Sequence, residues 1–458
     1  MERSHDIDSL ANYGLTLVEK ECKTLKCAEI FFMENEQLTI EIEENSIKNS
    51  EIRSEDGVSI RVVGNNGSLG FAFTNNLKKS SIQKIIITSI KMMKAGTEDP
   101  DFKNFPSKYD NYPNVKGLFD KNIKNIQIED SINYVRDLIK ICSEDELAIS
   151  QSADFSSNYS KEYIFNSNGV NVSEKTTLCS ISSNVIVKDK AINETAFGFD
   201  WQCERTLKNI KTIEVVKNAL ASAKRNLNRK KIKKMKVPLI LTPNGAIDFI
   251  LKPIASAVNA DTFQYKRSFL VDKREEIIGS NYLNIEDNAL IDGAPGSSPF
   301  DGEGIPCRNK KIIENGKFLK TGLLHNSYTA GKEGIESTGN AIRKSYSSIP
   351  SIGISNFIMK PGEFSKEDII ASVKEGILLE STGDSPNITT GDFSGLILHG
   401  NLIKNGEVKD ALNETMFGIN LLDLFKNIEA ISKEFKTYGP YRAPYVKIKE
   451  VQIIGAAP

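Results

Sequence analysis

The side chains that could do chemistry are concentrated in two polar stretches of the second half of the chain. The first polar loop, residues 296–304, places Asp301 and Glu303 two positions apart among glycines, which let the backbone approach another surface closely. Two such carboxyl groups could act as the acid and the base of glycosidic chemistry, although carboxylates in loops more often cap turns. The second polar loop, residues 336–343, has the same glycine and hydroxyl character.

Patterns that identify other common catalytic and metal sites do not occur in the sequence. His5, His325 and His399 lack the i, i+4 spacing that places two imidazoles on one helix face, so a histidine metal site is not expected. His5 is near the terminus, and the other two fall on predicted strands, where we expect hydrogen-bonded structural roles. There is no Gly-x-Ser-x-Gly elbow and no P-loop, and the glycines at 64, 67 and 70 are predicted to form a hairpin.

The charge distribution argues against nucleic acid or a membrane as a partner. Lys and Arg number 59 and Asp and Glu number 60, so the chain has almost no net field. Eight basic residues between Lys224 and Lys236 form the strongest charged run, but no aromatic side chain interrupts it to stack on bases. We interpret this run as a solvated helix end that continues into an interdomain linker. A phosphate-binding patch is the alternative, which a steep salt dependence of affinity would reveal.

Length and composition are typical of a globular protein with two or three domains. The 458 residues are 39% hydrophobic and 26% charged, and the first fifteen contain no apolar stretch suited to export. No segment approaches the roughly 18 consecutive apolar residues of a membrane helix. We therefore expect a cytoplasmic protein whose six cysteines, which form no Cys-x-x-Cys pair, are mostly small buried side chains.

The elements that must position the polar loops begin with two α+β segments. Residues 1–95 form the predicted N-terminal α+β segment, 96–115 a proline-containing surface linker, and 116–232 a middle α+β segment that completes the N-terminal region. Amphipathic periodicity and turn residues predict the elements of both segments. The helices are at 6–25, 81–93, 128–142 and 206–228, and the strands, antiparallel in the first segment, are at 28–33, 38–44, 58–63, 69–74, 147–155, 162–165 and 179–188.

Residues 233–458 are predicted to form a C-terminal β-rich domain. A buried strand at 237–241 turns through Pro-Asn-Gly into a helix at 246–258, and two further helices are predicted at 365–374 and 421–432. The strands of this domain are at 312–313, 318–324, 352–359, 396–403, 408–412 and 445–454. The predicted fold class is therefore α+β, with an antiparallel sheet and helices followed by a β-rich domain.

The two polar loops and their surroundings resemble the C-terminal half of the TldD/PmbA (TldE) family. The matching residues are Ser-Ser-Pro-Phe-Asp-Gly-Glu-Gly at 297–304, Asn-Gly at 315–316, Leu323, Tyr-Thr-Ala at 328–330 and Ser-Thr-Gly-Asn-Ala at 337–341. Gly-Val-Ser-Ile-Arg-Val-Val at 57–63, with Gly-Phe-Ala at 70–72, is similar to the family's N-terminal strand motif. The resemblance covers most of the chain and implies the same fold class as the patterning.

The resemblance also implies a zinc helix that this sequence does not preserve. The TldD-type subunit of the family carries His-Glu-x-x-x-His, in which the histidines bind zinc and the glutamate activates water. Counting back from Asp261, the histidine positions fall near Leu251 and Ser256 and the glutamate position near Lys252. The family's glycine-cysteine ligand segment corresponds to the region of Tyr438, which has no thiol. No catalytic and no metal-binding residue is therefore assigned to this chain.

This departure agrees with the PmbA/TldE branch, whose members resemble non-catalytic partners of a zinc subunit. The implied function is a cofactor-free subunit of a cytosolic TldD/TldE-type metallopeptidase acting on short or unfolded peptides, with zinc held by a TldD-like partner. The alternative is a homodimeric binding or adaptor protein with no protease role. The family-motif residues, whose roles the sequence leaves unassigned, are Ser298, Asp301, Glu303, Gly304, Ser337, Thr338 and Gly339.

Overall fold

A computed structural model describes residues 6–456, which contain two large β-sheets. The first part of the chain supplies one sheet and the helices that cover it. Its elements are α1 (Ile7–Glu21), β1 (Leu25–Glu43), β2 (Ser46–Gly64), β3 (Leu69–Thr74), α2 (Lys79–Ala95), α3 (Lys121–Lys124), α4 (Ile128–Ser143), β4 (Ala148–Asn166), β5 (Asn171–Asp189), β6 (Glu194–Glu204) and α5 (Thr212–Arg225).

The first sheet combines strands from both predicted N-terminal segments. Its order is β3-β2-β1-β4-β5-β6, and every neighbouring pair is antiparallel. Even-numbered residues of β1, such as Ile30 and Ile40, lie in hydrophobic cores with the helices α1, α2, α4 and α5. The odd-numbered Phe31 packs instead with Phe300 and Tyr346. Because successive side chains of a strand point to opposite faces, the helices cover one face and the C-terminal part of the chain covers the other.

The C-terminal part of the chain contributes many short elements. The strands are β7 (Met235–Leu241), β8 (Ile285–Asn288), β9 (Asn309–Glu314), β10 (Lys317–Phe318), β11 (Ala341–Ile342), β12 (Ser351–Ile352), β13 (Phe357–Met359), β14 (Glu375–Thr382), β15 (Asp392–Lys404), β16 (Glu407–Ala411), β17 (Met416–Asn420), β18 (Ile428–Tyr438) and β19 (Tyr441–Ile454). The helices are α6 (Pro243–Ala246), α7 (Lys252–Ala257), α8 (Ala260–Gln264), α9 (Ser327–Glu333), α10 (Lys366–Ala371) and α11 (Leu421–Lys426).

The second sheet has eleven strands and closes on itself in part. β7 pairs with both β14 and β19, so that β7, β14, β15, β17 and β19 form a closed ring, which removes exposed strand edges. The rings of Phe249, Phe393 and Phe417 pack in its core with centroids 4.7–4.9 Å apart. The two sheets with their helices confirm the predicted α+β fold class with a β-rich C-terminal domain.

Several element boundaries differ from the prediction: the strands predicted at 147–155 and 162–165 are one strand, β4, the strand predicted at 352–359 is divided into β12 and β13, the strand predicted at 318–324 ends at Phe318, and the helix predicted at 206–228 begins at Thr212. Two further differences have a clear cause. The strands predicted at 28–33 and 38–44 are one continuous strand, because β2 and β4 pair with β1 on both sides through its polar middle residues. The helix predicted at 421–432 ends at Lys426, and Ile428 already belongs to a strand that pairs with β19. In both places the strand pairing decides the backbone conformation, and the side-chain pattern does not.

The linker predicted at 96–115 contains no helix or strand, and most of its residues are exposed, but two of its phenylalanines are buried. Phe105 is 2% exposed and packs in a small core with Phe102, Cys27 and Val63. The guanidinium carbon of Arg61 lies 4.5 Å from the centre of the Phe105 ring. This irregular segment, residues 96–115, is therefore anchored on β1 and β2 by its two phenylalanines, whose burial is favourable, while most of its charged residues remain exposed.

Three further expectations can be compared with the structure. His5 lies outside the described residues, His399 is on β15 as predicted, and His325 lies in the loop before α9, so the strand predicted there is wrong. All six cysteines are free, and only Cys203 is not fully buried. Within residues 6–456, no helix is both long enough and apolar enough to span a bilayer.

Candidate functional site

Asp301 ties the first polar loop to the second. Its carboxyl group accepts the backbone N–H groups of Glu303 at 2.9 Å, Ile305 at 3.0 Å and Ala341 at 3.0 Å. Burial and the charge of Glu303 raise the pKa of Asp301 to about 7, and the three N–H donors act in the opposite direction. Because both carboxyl oxygens are occupied by backbone donors, we assign Asp301 a structural role.

Glu303 belongs to a buried cluster of four charges that joins the first sheet to the C-terminal domain. Arg61 on β2 donates to Glu303 at 3.0 Å and, through two nitrogens, to Glu29 on β1 at 2.9 and 2.8 Å. Arg343 of the second polar loop also pairs with Glu29, and no side chain of the four is more than 6% exposed. Burial alone would raise the pKa of Glu29, but the charges of Arg343 and Arg61 hold it below its ordinary value.

Ser298 connects the first polar loop to a pair of carboxyl groups on the first sheet. Its hydroxyl lies 2.9 Å from Glu174 Oε2, and Glu174 on β5 is directly opposite Glu162 on β4. The pKa of Glu174 is raised to about 7 by the net effect of its surroundings. Burial and the charge of Glu162 raise this pKa, whereas the Ser298 hydrogen bond and the charge of Arg205 lower it. The pKa of Glu162 is also raised, chiefly by burial. The C-terminal domain thus sits against two carboxyl groups whose pKa values are both raised by burial.

Because the pKa of Glu174 is raised, its contribution to the free energy of unfolding depends on pH, and Glu174→Gln should remove that contribution. The folded protein holds the Glu174 proton up to about pH 7, whereas an unperturbed glutamate loses it near 4.5, so the folded state binds more protons between these values. The contribution of Glu174 to the free energy of unfolding is therefore fully present below about pH 4.5 and is lost as the pH rises to about 7. We expect the melting temperature of Glu174→Gln to increase relative to that of the wild type as the pH rises from 5 to 8. Parallel melting curves would refute this, and the exposed Glu363→Gln is the control.

The second polar loop holds the backbone of His325. Ser337 Oγ and Thr338 Oγ1 lie 3.0 and 3.2 Å from the His325 carbonyl oxygen, and the His325 N–H donates to Thr338 Oγ1 at 2.7 Å. Asn340 continues the network to the buried Asp287 at 2.8 Å. Burial lowers the pKa of His325 to about 4, so its ring is neutral near pH 7. The hydroxyl groups of this loop are therefore used within the domain.

The two motif glycines occupy positions where a side chain would not fit. Gly304 has φ +80°, and an added Cβ would lie 2.6 Å from Val170 Cγ1 of the first sheet. Gly339 has φ +72°, and an added Cβ would lie 2.9 Å from the carbonyl oxygen of Pro306. Both glycines permit the left-handed backbone and the close approach that bring the two loops and the first sheet together.

A cavity of about 620 Å³ lies between the N-terminal part of the chain, which contains the first sheet, and the C-terminal domain. Arg61 and Glu303 are among the residues that line it. Tyr328, at the start of α9, and Phe102, from the irregular segment, form a stacked pair in its wall with ring centres 6.5 Å apart. Its size is within the range of ligand pockets in proteins. We therefore take this interdomain cleft as the candidate binding site. Its other lining residues are Gly67, Leu69, Thr97, Glu98, Asp99, Asn259, Asp261, Asn326, Ser327, Thr329, Ile349, Pro350, Ser351 and Ile352.

The segment that corresponds to the zinc helix is interrupted by a π-helical turn (Ile247–Leu251) between α6 and α7. Leu251 is fully buried in the hydrophobic core, Ser256 is exposed, and the Lys252 ammonium pairs with Asp248 at 2.7 Å. Zinc is bound in proteins by Cys, His, Asp and Glu side chains. A buried leucine, a lysine that occupies the neighbouring carboxylate and a serine do not fit this metal. Nowhere in residues 6–456 do three or more such side chains converge in a way that could hold a metal ion.

Tyr438, at the predicted position of the missing thiol, lies in a contact between β18 and β6. Its hydroxyl donates to Asp200 Oδ1 at 3.0 Å, and Lys436 Nζ lies 3.3 Å from Asp200 Oδ2. The Tyr438 ring also lies 6.0 Å from the ring of Trp201. Burial and the Asp200 charge raise the pKa of Tyr438 strongly, so it remains a neutral donor. Tyr438 therefore links the two sheets through Asp200 and Trp201.

The basic run after α5 is mostly paired with carboxylates. Six of its eight cations form salt bridges, and Arg229–Glu194 at 2.7 Å is representative. Because these carboxylates compensate much of the positive charge, the contacts favour the interpretation as a solvated helix end over a phosphate patch. The other five pairs are Lys224–Asp145, Arg225–Glu380, Lys230–Asp410, Lys231–Glu414 and Lys236–Glu450.

The structure brings together the motif residues of both polar loops. The residues at the zinc-helix positions lie outside this group. Lys252 and Ser256 line a separate cavity of about 300 Å³. Glu29 was not predicted as a site residue and Arg61 was identified only as part of a strand motif, yet both complete the charge cluster with Glu303. A signal was present, because each is a single charged residue within an otherwise apolar stretch of a predicted strand, and a charge buried in a sheet requires a partner.

Comparison with known proteins agrees with this architecture. Models of the PmbA/TldA metallopeptidase family match domain 1 at 28–92, the central domain at 121–227 and the C-terminal domain at 234–455. A metalloprotease of Methanocaldococcus jannaschii is 30% identical over 434 residues, covering 92% of this chain and 93% of that protein. A metalloprotease PmbA homolog of Buchnera aphidicola is 27% identical over 467 residues, covering 98% and 99%.

The fold is also similar to that of a solved protein. The crystal structure of TldE from Thermococcus kodakarensis superposes with a TM-score of 0.85, covering 98% of this chain and 100% of that chain at 23% identity. A likeness at this identity concerns the fold, and the matches of the family models and of the archaeal relative carry the assignment. The chain belongs to the PmbA/TldD metallopeptidase family.

Proposed function

We propose that this chain is a PmbA/TldE-like subunit without catalytic residues of its own. In this proposal it works in the cytoplasm beside a TldD-like subunit that holds the zinc, and the assembly cleaves short or unfolded peptides. The observation that carries the proposal is the segment from Ile247 to Ser256. A side chain at the first histidine position is enclosed in the core, and Lys252 forms an ion pair where the zinc subunit would place its glutamate.

The use made of the motif residues supports the same conclusion. Asp301 accepts three backbone N–H groups, and Glu303 is neutralised by Arg61. A general base needs a carboxylate or imidazole with an acceptor position directed at the substrate. Ser337 and Thr338 are likewise used to hold the His325 backbone. The polar loops therefore serve to fix the interdomain geometry, and the cleft between the domains is the place left for a peptide.

The metal prediction follows from the donor set. After chelation and resupply of zinc, the purified chain is expected to retain well under one equivalent of zinc and to leave unstructured peptides intact. Elemental analysis after gel filtration and a mass-spectrometric peptide assay measure the two properties. A family member that bears His-Glu-x-x-x-His, treated identically, is the positive control. Peptide cleavage by the chain alone that chelation abolishes and zinc restores would overturn the proposal.

The partner prediction is tested by mixing. The chain and the zinc-bearing family member are expected to elute together as one species of defined mass in gel filtration with light scattering. Peptide cleavage by the mixture should exceed that of the zinc subunit alone. If the chain forms only homodimers and leaves the cleavage rate unchanged, the adaptor role without a protease is supported and the subunit proposal fails.

A further inference from the structure

Part of β2 lies at an open edge of the first sheet. On one side β2 pairs with β1 along its length, but on the other side β3 pairs only with residues 58–63. Within residues 6–456, the stretch 46–55 has no neighbouring strand on that side, and we call it the free stretch of β2. At the opposite end of the sheet the unpaired part of β5 is covered, because the Thr177 N–H donates to the Leu118 carbonyl at 2.9 Å. An open strand edge is a template for pairing with a further strand.

Every second residue of the free stretch directs its backbone groups to the open edge. The Gly64 N–H donates to the Ser68 carbonyl at 3.0 Å, so the backbone groups of Gly64 are on the β3 side of β2. Backbone groups of successive strand residues alternate between the two edges, and the register of β2 has no shift from residue 49 to residue 63. Ser50, Ile52 and Ser54 therefore present their N–H and C=O groups at the open edge, where no residue between 6 and 456 forms a hydrogen bond with them.

The side chains of the free stretch are exposed and complementary to themselves. Ile52 is 57% exposed and lies opposite Leu38 of β1, on the face that carries the helices. Glu51 and Arg53, on either side of Ile52, project from the other face and pair with each other at the surface. An antiparallel copy of β2 centred on Ile52 places Ile52 opposite Ile52 and each Glu51 opposite an Arg53. Apolar cross-strand pairs and cross-strand pairs of opposite charge both stabilise sheets.

The neighbouring registers of such a pairing are unfavourable. A shift of one residue places Ile52 opposite Glu51 or Arg53, whose backbone groups are directed to β1, so the hydrogen bonds are not aligned. A shift of two residues places Glu51 opposite Glu51 or Arg53 opposite Arg53, and like charges directly opposite are destabilising. The centred register allows about six hydrogen bonds, two at Ile52–Ile52 and two at each Ser50–Ser54 pair.

We propose that two copies of this chain associate through the free stretch of β2, antiparallel and related by a two-fold axis at Ile52. The two first sheets then form one continuous sheet. The Ile52 and Leu38 side chains of both copies form one apolar cluster, and the two Glu51–Arg53 pairs form an alternating set of four charges on the other face. The complementarity of the free stretch to itself identifies a second copy as the occupant.

This association goes beyond the proposed function and does not depend on it, because it requires neither zinc nor a peptide nor the zinc-bearing subunit. A contact made by one strand pair is small, and small interfaces are typical of weak association, so we expect a dissociation constant on the order of 10 µM. Sedimentation equilibrium of the full chain at low salt should show a change from monomer to dimer between about 1 and 100 µM.

Charge reversal tests the pairing. Arg53→Glu places a glutamate opposite Glu51 at both ends of the contact, so we expect the dissociation constant to rise about tenfold or more. Glu51→Arg should have the same effect, whereas Glu51→Arg combined with Arg53→Glu should restore the wild-type value, because the exchange regenerates both opposite pairs in the same register. Lys211→Glu is the matched control, since Lys211 is 66% exposed in its pair with Glu214 and lies outside the sheet.

A backbone variant tests the hydrogen bonds independently of charge. Ser54→Pro removes an N–H group at the open edge, a position where a strand tolerates proline, and should abolish the dimer. In urea at about 0.2 µM, well below the expected dissociation constant, the chain is monomeric, and the exposed substitutions should leave its unfolding unchanged.

The proposal is overturned if the wild-type mass stays monomeric up to 100 µM, if Arg53→Glu dimerises as well as Lys211→Glu, or if the double exchange fails to restore the dimer. It is equally overturned if the chain alone is monomeric and Arg53→Glu weakens only the binding of the zinc-bearing subunit, because that subunit then occupies the edge. Each of these results is read without a peptidase assay, so it is distinguishable from failure of the proposed function.

Discussion

Arg61→Met is expected to lower the free energy of unfolding by about 3–5 kcal/mol, because it leaves two buried carboxylates without their cation. Glu29 and Glu303 are each 1% exposed and lie 2.8 and 3.0 Å from the Arg61 guanidinium. Arg343 still pairs with Glu29, so most of the loss is expected from Glu303, whose described salt bridge is to Arg61. The effect falls on the contact between the first sheet and the C-terminal domain.

The single tryptophan makes this contact measurable. Trp201 on β6 lies 6.0 Å from the Tyr438 ring of the C-terminal domain, so its fluorescence reports separation of the two sheets in urea. Arg53→Met is the matched control, because Arg53 is 73% exposed in its pair with Glu51 and should give no measurable change.

A neutral version of the cluster separates charge from shape. Arg61→Met combined with Glu303→Gln should recover part of the lost stability, since it removes both members of one buried pair and leaves the pair of Arg343 with Glu29 in place. If Arg61→Met unfolds at the same urea concentration as Arg53→Met, the cluster does not hold the domains together.

The sequence predicts the elements of this fold better than their mutual arrangement. The hydrophobic periodicity of α1, α2 and α4 and the turn residues of the β2–β3 hairpin are local properties, and these elements form where predicted. The second sheet depends on pairings such as β7 with β14 and β19, whose strands are far apart in the chain. Pairings of this kind depend on packing between whole segments, which no local pattern encodes.

The same limit applies to the candidate site. Asp301 and Glu303 were identified as unusual because two carboxylates among glycines are visible in the sequence. Their different roles were not visible, since Asp301 receives backbone donors within its own domain whereas Glu303 meets a guanidinium 242 positions away. Likewise, the burial of Phe105 depends on Arg61 and Val63 from a distant strand. Residue types therefore indicate where polar contacts form, and the tertiary arrangement decides which partner each one meets.

Asp301→Ala is expected to cost at least about 3 kcal/mol, since it leaves three backbone N–H groups without their acceptor in a buried position. The two polar loops would lose their direct side-chain connection at Ala341, and Glu303 would be less firmly placed against Arg61. We expect earlier unfolding in urea, followed by Trp201 fluorescence, and faster cleavage by thermolysin within 296–306 and 336–343. Both readouts follow from the structural role, because a catalytic carboxylate can be removed without loosening these loops.

The matched control for this substitution is Asp384→Ala. Asp384 is exposed and accepts a single backbone N–H, that of Leu396 at 2.8 Å, so its removal should cost about 1 kcal/mol or less. Asp301→Asn should fall between the two, because the amide keeps one acceptor oxygen for Glu303 and Ile305 but turns a donor towards the Ala341 N–H. Wild-type stability of Asp301→Ala would contradict the structural role, and the carboxylate would then have to be retested as a group that acts on the peptide in the cleft.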